Sequence, residues 1–84
     1  MPKFILSKHA AEQIQIRGIS QNIVQDVVSY PQKVEELEDG QFIYQKTVVF
    51  PDGFDYLVRV FVNSNKIPNL IKTVYRTTKF SKYE

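Results

Sequence analysis

The sequence predicts one α+β domain in which two N-terminal helices pack on a four-stranded antiparallel sheet. Three observations carry this reading. Apolar residues recur at helical spacing up to Tyr30, alternation of period two takes over from Lys33, and the alternating half is punctuated by Asp39-Gly40 and Pro51-Asp52-Gly53. A chain of 84 residues is one domain. At this size folding removes only about 60–65% of the unfolded surface from water, so the stability margin is thin. Five tyrosines, six phenylalanines and 43% hydrophobic residues are enough for one core without cross-links.

The elements follow in order. Residues 3–6 read as a short strand. Ser7 is a good N-cap for a helix running to about Arg17, since its hydroxyl can accept a first-turn N–H. Ala10, Ala11 and Ile14 form that helix's apolar stripe, and Gly18 stops it. Ser20 caps a second helix over Gln21–Ser29, striped by Ile23, Val24, Val27 and Val28. It ends at Tyr30-Pro31, because a residue before proline is pushed out of the α region. Lys33–Leu37 and Gln41–Phe50 read as strands joined at Asp39-Gly40, a favoured tight hairpin turn. Pro51-Asp52-Gly53 turns the chain into a strand over Phe54–Val62. A polar loop with Pro68 then leads to a last strand, Leu70–Thr77, and a short basic tail.

Alternation sorts the third of these strands into two faces. Tyr56, Val58, Val60 and Val62 share one, expected under the helices, and Leu57, Arg59 and Phe61 share the other. The second face is expected to be at least partly open, because burying a lone guanidinium is costly.

Composition removes several classes of function. With no cysteine there is no disulfide framework, thiolate nucleophile or cysteine metal site, which fits a cytoplasmic location. Met1–Leu6 has no long apolar run, so no signal peptide is expected, and nothing approaches the roughly 20 apolar residues of a membrane span. Neither a glycine-rich phosphate loop nor a metal-ligand spacing is present, and no cofactor or metal is expected. The net charge of +2 is unevenly spread. Arg59, Lys66, Lys72, Arg76, Lys79 and Lys82 fall within Tyr56–Tyr83, which has no acidic residue, whereas Glu35, Glu36, Glu38 and Asp39 cluster. Such a basic half is suited to a polyanion, or is simply a solvated surface.

Few residues can carry chemistry. His9, the only histidine, suits proton transfer near neutral pH, or is a helix-surface residue. Arg17 lies two turns further on, about 12 Å along the axis; it edges a cleft with His9 or serves the helix C-terminus as a cation. Arg59 is placed for a phosphate, or for a carboxylate such as Glu35 or Glu38 on a neighbouring strand. Thr73-Val74-Tyr75-Arg76-Thr77-Thr78-Lys79 joins an aromatic hydroxyl to two cations. Alternation points Tyr75 and Arg76 to opposite faces, so one site takes both only where the strand bulges or ends.

One pattern spans nearly the whole chain. It comprises Leu6-Ser7-Lys8-His9-Ala10, Ile14, Arg17-Gly18-Ile19-Ser20, Pro31, Gly40, Tyr44-Gln45-Lys46, Tyr56-Leu57-Val58-Arg59-Val60 and Thr73-Val74-Tyr75-Arg76-Thr77. It resembles a widespread prokaryotic family of small proteins grouped with the RelE/ParE-like toxins. The resemblance implies a RelE-like fold over residues 1–84 and the toxin role of a type II toxin–antitoxin pair. It implies a metal-independent endoribonuclease, an mRNA interferase that cuts messenger RNA on the ribosome, with a cognate antitoxin as partner. By position it implies catalytic roles for His9, Arg59, Tyr75 and Arg76, and RNA contacts from Arg17, Lys46, Lys72 and Lys79. The family opening often carries arginine where this chain has Gln13, so one cation is absent. Some ParE-like members inhibit gyrase instead, which leaves a non-catalytic binding module as the alternative.

Overall fold

The computed structural model describes residues 4–80. Lys3, expected in the first strand, and Lys82 and Tyr83 of the basic stretch lie outside the described residues. Strand β1 (Phe4–Leu6) is followed by helices α1 (Lys8–Ile16) and α2 (Gln21–Ser29). Strands β2 (Lys33–Glu36), β3 (Gln41–Val49), β4 (Asp55–Asn63) and β5 (Asn69–Thr77) complete the chain. The α+β class and both helices agree with the sequence expectation. The sheet differs: it has five strands in the order β1-β5-β4-β3-β2 and is mixed. The short opening strand joins it by pairing parallel with β5, Phe4 against Asn69 through Leu6 against Ile71. Three residues carry no periodic signal, and the partner lies at the other end of the chain. Among the described residues no helix is long and apolar enough to cross a membrane.

Local chemistry sets the helix ends. Ser7 accepts from the Ala10 amide at 3.0 Å, and Ser20 from that of Ile23 at 3.2 Å. At the end of α1, Ile19 N–H donates to Ile14 C=O at 2.8 Å and Gly18 N–H to Gln15 C=O at 3.4 Å. This is a Schellman closure, with Gly18 in the left-handed region at φ +65°. Ile14 and Ile19, both buried, supply its apolar contact. Asp39 and Gly40, at φ +56° and +73°, form the mirror-image turn whose twist suits the β2–β3 hairpin.

The core lies between the helices and one face of the sheet. Val58, Val60 and Val62 have no solvent exposure, and Ile71, Val74, Ala10, Ile14, Val24 and Val27 close around them. Each buried valine contributes about 1.5 kcal/mol or more of hydrophobic stabilisation. A bulge opposite Phe61–Val62 throws Lys72 outward, since Phe61 pairs with Thr73 but Val62 with Ile71. The extra residue lets Ile71 and Val74 share the helix-covered face. From Thr73 onward Tyr75 joins Arg59 on the other face and Arg76 stays on the helix side.

Gly18→Ala is expected to lower unfolding stability by about 1–2 kcal/mol, because only the backbone conformation is penalised. A β-carbon there meets nothing closer than Arg76 Nη2 at 3.7 Å. Urea denaturation reads the loss, and an unchanged midpoint would mean that this turn does not hold the end of α1.

Candidate functional site

Strand β1 covers only Asn69–Ile71 of the outer edge of β5. Beyond it the edge is met by a side chain, as Arg17 Nη1 donates to Val74 C=O at 2.8 Å. The glycine turn after α1 brings Arg17 to this place. The result is an open groove of about 690 Å³ lined by Gln15, Ile16, Arg17, Gly18, Thr73, Tyr75 and Arg76. Because the groove straddles a strand edge, it receives Tyr75 from one face and Arg76 from the other. That resolves the restriction alternation had placed on using both: from Thr73 to Arg76 the pairing with β4 is regular, and the outer edge of β5 is not covered by β1.

Tyr75 is held from behind. Gln45, Arg59 and Tyr75 stand in register across β3, β4 and β5. Arg59 Nε donates to Gln45 Oε1 at 3.1 Å, and Arg59 Nη1 donates to Tyr75 Oη at 2.7 Å. A guanidinium has no acceptor, so Tyr75 takes this bond through an oxygen lone pair. Phe61 packs against the Tyr75 ring at 5.8 Å, and Arg17 Cζ lies 6.0 Å from the ring centroid. Arg59 is only 8% exposed, although its face was expected to be at least partly open. Neither Glu35 nor Glu38 pairs with it; Gln45 and Tyr75 accept from it.

Arg76 is caged on the opposite side. Its Cζ lies 4.4 Å from the Phe50 ring centroid and 4.5 Å from that of Tyr56. The two rings meet edge to face at 4.9 Å. Tyr56 is tethered in turn, its hydroxyl donating to Asp52 Oδ2 at 2.7 Å, while Phe54 N–H donates to Asp52 Oδ1 at 2.9 Å. The Phe54 amide, then the Tyr56 hydroxyl, hold the Asp52 carboxyl below its ordinary 3.8, and the Arg76 charge adds to this. The same carboxylate pushes the Tyr56 hydroxyl above its ordinary 10.0. Among the described residues the one ion pair is Lys46 with Asp26, so neither Arg17 nor Arg76 makes a direct ion pair with a carboxylate of that set, although the Arg76 charge acts on Asp52 from a distance.

The eight sequence-predicted residues therefore separate. Arg17, Tyr75 and Arg76 meet in the groove, with Arg59 directly behind Tyr75. Lys72 and Lys79 are exposed on the chain just before and just after the groove-lining stretch of β5. Lys46 is on the helix side, its Nζ 2.7 Å from Asp26 Oδ2 and over the Tyr30 ring. His9 is exposed in the first turn of α1, at the other end of that helix from Arg17 and in the layer opposite Arg59. Sequence reasoning named Gly18 as a helix stop and Thr73 within the polar stretch of the last strand, but it placed neither in a groove and foresaw neither the support from Gln45 nor the cage of Phe50 and Tyr56. Tyr56 does sit in phase with the valines of β4, but pairing it with Phe50 and Arg76 needs the register between three strands.

Compared with models of known protein families, residues 6–76 match one described as a domain of unknown function, DUF4258. No curated protein and no solved structure matches the chain.

The Asp52 bonds make stability depend on acidity. The folded state holds this proton less tightly than the unfolded chain, so its contribution is complete above 3.8 and is lost as pH falls through the lower folded value. For Tyr56 the contribution is present below 10.0 and is lost as pH rises through the raised folded value. Thermal unfolding followed from about pH 5 to 2 is expected to decline less steeply in Asp52→Asn than in the parent. Identical slopes would remove Asp52 from the account.

Proposed function

We propose that this chain, which belongs to the DUF4258 family, is an RNA-cleaving toxin that holds the scissile phosphate in the groove at the edge of β5. The observation that carries the reading is the convergence of Arg17 and Arg76, neither of them paired with a carboxylate among the described residues, beside the Tyr75 hydroxyl. The planar donors of arginine match phosphate oxygens, and an aromatic ring in the groove suits an unstacked base. Lys72 and Lys79 then follow the RNA backbone on either side. The resemblance to RelE/ParE-like toxins supports the same reading, and a cytoplasmic site of action goes with it.

The chemistry suited to these groups is transesterification. The RNA 2′-oxygen attacks the adjacent phosphorus, a new P–O bond forms, and the bond to the 5′-oxygen breaks. The 2′-hydroxyl proton leaves to water. Tyr75 donates its proton to the departing 5′-oxygen and regains one from solvent. Arg17 and Arg76 stabilise the charge that accumulates on the phosphorane, the role a metal fills in other nucleases. The products are a 2′,3′-cyclic phosphate and a 5′-hydroxyl. A cognate antitoxin neutralises the protein in this reading by laying an acidic segment along the groove.

A second reading is a binding module without nuclease activity. It draws on the groove lining, which includes no imidazole and no carboxylate among the described residues, and on the distance of His9 from it. Purified protein assayed on free RNA and on translating ribosomes, with chelator present, separates the two. Under the first reading cleavage occurs, and Arg17→Ala or Arg76→Ala lowers its rate by roughly 10²–10³-fold. Tyr75→Phe lowers it by about 10²–10⁴-fold, while His9→Ala leaves it unchanged. RNA that stays intact in both assays, or cleavage indifferent to Arg17, Tyr75 and Arg76, would sink the nuclease assignment.

A further inference from the structure

The other edge of the sheet suggests a different contact. Strand β2 is the terminal strand, and all four of its residues are exposed. Leu37 N–H donates to Gln41 C=O at 2.7 Å, and Glu35 pairs with Ile43. In an antiparallel ladder the residues bonded to the partner alternate, so Leu37 and Glu35 bond inward and the backbone groups of Val34 and Glu36 point out of the sheet. Val34 is 44% exposed. It projects on the helix-covered side with its ladder partner Tyr44, whereas Lys33 and Glu35 project on the opposite side with Gln45 and Ile43.

We infer that β2 pairs antiparallel with β2 of a second copy of this chain, about a two-fold axis through Val34. Three conditions meet in this register and in no neighbouring one. A two-fold axis perpendicular to the sheet keeps like faces together, which requires the paired residue numbers to sum to an even value. Centring on Val34 sets its outward N–H and C=O against those of its symmetry mate, completing two ladder bonds. The same register puts Lys33 opposite Glu35 of the second copy twice, on one face, with the two Val34 side chains touching on the other. Centring on Glu35 instead opposes two like charges and meets inward-directed backbone. Centring on Lys33 does the same with two ammonium groups. The result is a continuous ten-stranded sheet that leaves the β5 groove of each copy at its far edge. The contact is therefore independent of what that groove does.

Sedimentation equilibrium of the whole protein tests the contact. The mass is expected to rise from 9.8 kDa toward twice that value with concentration, and less so in high salt. Lys33→Glu sets like charges against each other twice and is expected to weaken association by roughly tenfold or more, as is Glu35→Lys. Joining the two changes restores opposite charges and recovers association. Val34→Pro removes the outward N–H without breaking a bond inside one copy, and leaves a folded monomer, checked by circular dichroism. A constant 9.8 kDa at all concentrations, single charge variants that associate like the parent, or a double variant that stays monomeric would each overturn the pairing.

Discussion

Val58, Val60 and Val62 of β4 are sealed from water by the two helices, and that burial orders the molecule around them. In a pleated strand every second side chain goes to the same face, so committing the valines to the core commits Leu57, Arg59 and Phe61 to the other side. Because β4 is flanked by β3 throughout and by β5 from Leu57 to Asn63, the commitment passes through the ladder to Gln45 and Tyr75. The hydrogen-bonded row that supports the Tyr75 hydroxyl is thus a consequence of where three valines are buried. Shifting β4 by one residue would bring Arg59 under the helices and dissolve core and row together.

The groove depends on a second constraint, the shortness of β1. A longer first strand would cover β5 along its edge and leave no opening between α1 and Thr73–Arg76. Instead the Arg17 side chain takes the place of a strand, bonding Val74 C=O and presenting the rest of its guanidinium to the groove. Arg76 reaches the same space from the helix side, held there by the rings of Phe50 and Tyr56 that pack on its guanidinium. Two cations are thereby held near each other by rings and a carbonyl, and neither is matched with a carboxylate among the described residues.

Charge is also divided between the two ends of the sheet. The β5 edge is cationic, while the β2–β3 turn carries Glu38 and Asp39, both exposed. The mixed charges of β2 itself, one lysine among glutamates, fall between these extremes.

The local elements were legible in the sequence because their causes are local. Ser7 and Ser20 cap helices within three residues, Gly18 and Tyr30-Pro31 end them, Asp39-Gly40 makes the hairpin, and the valine alternation of β4 marks the core face. The convergence of Arg17, Tyr75 and Arg76 was not legible, because it requires an edge left bare by a three-residue strand from the far end of the chain. Nor were the bonds of Arg59 to Gln45 and Tyr75, which need the register of adjacent strands, or the separation of His9, which follows from the layer in which α1 lies. Propensity and periodicity act over a few residues and determined the parts. Strand order, register and the extent of edge coverage are long-range, and they decided which of the polar residues share a site.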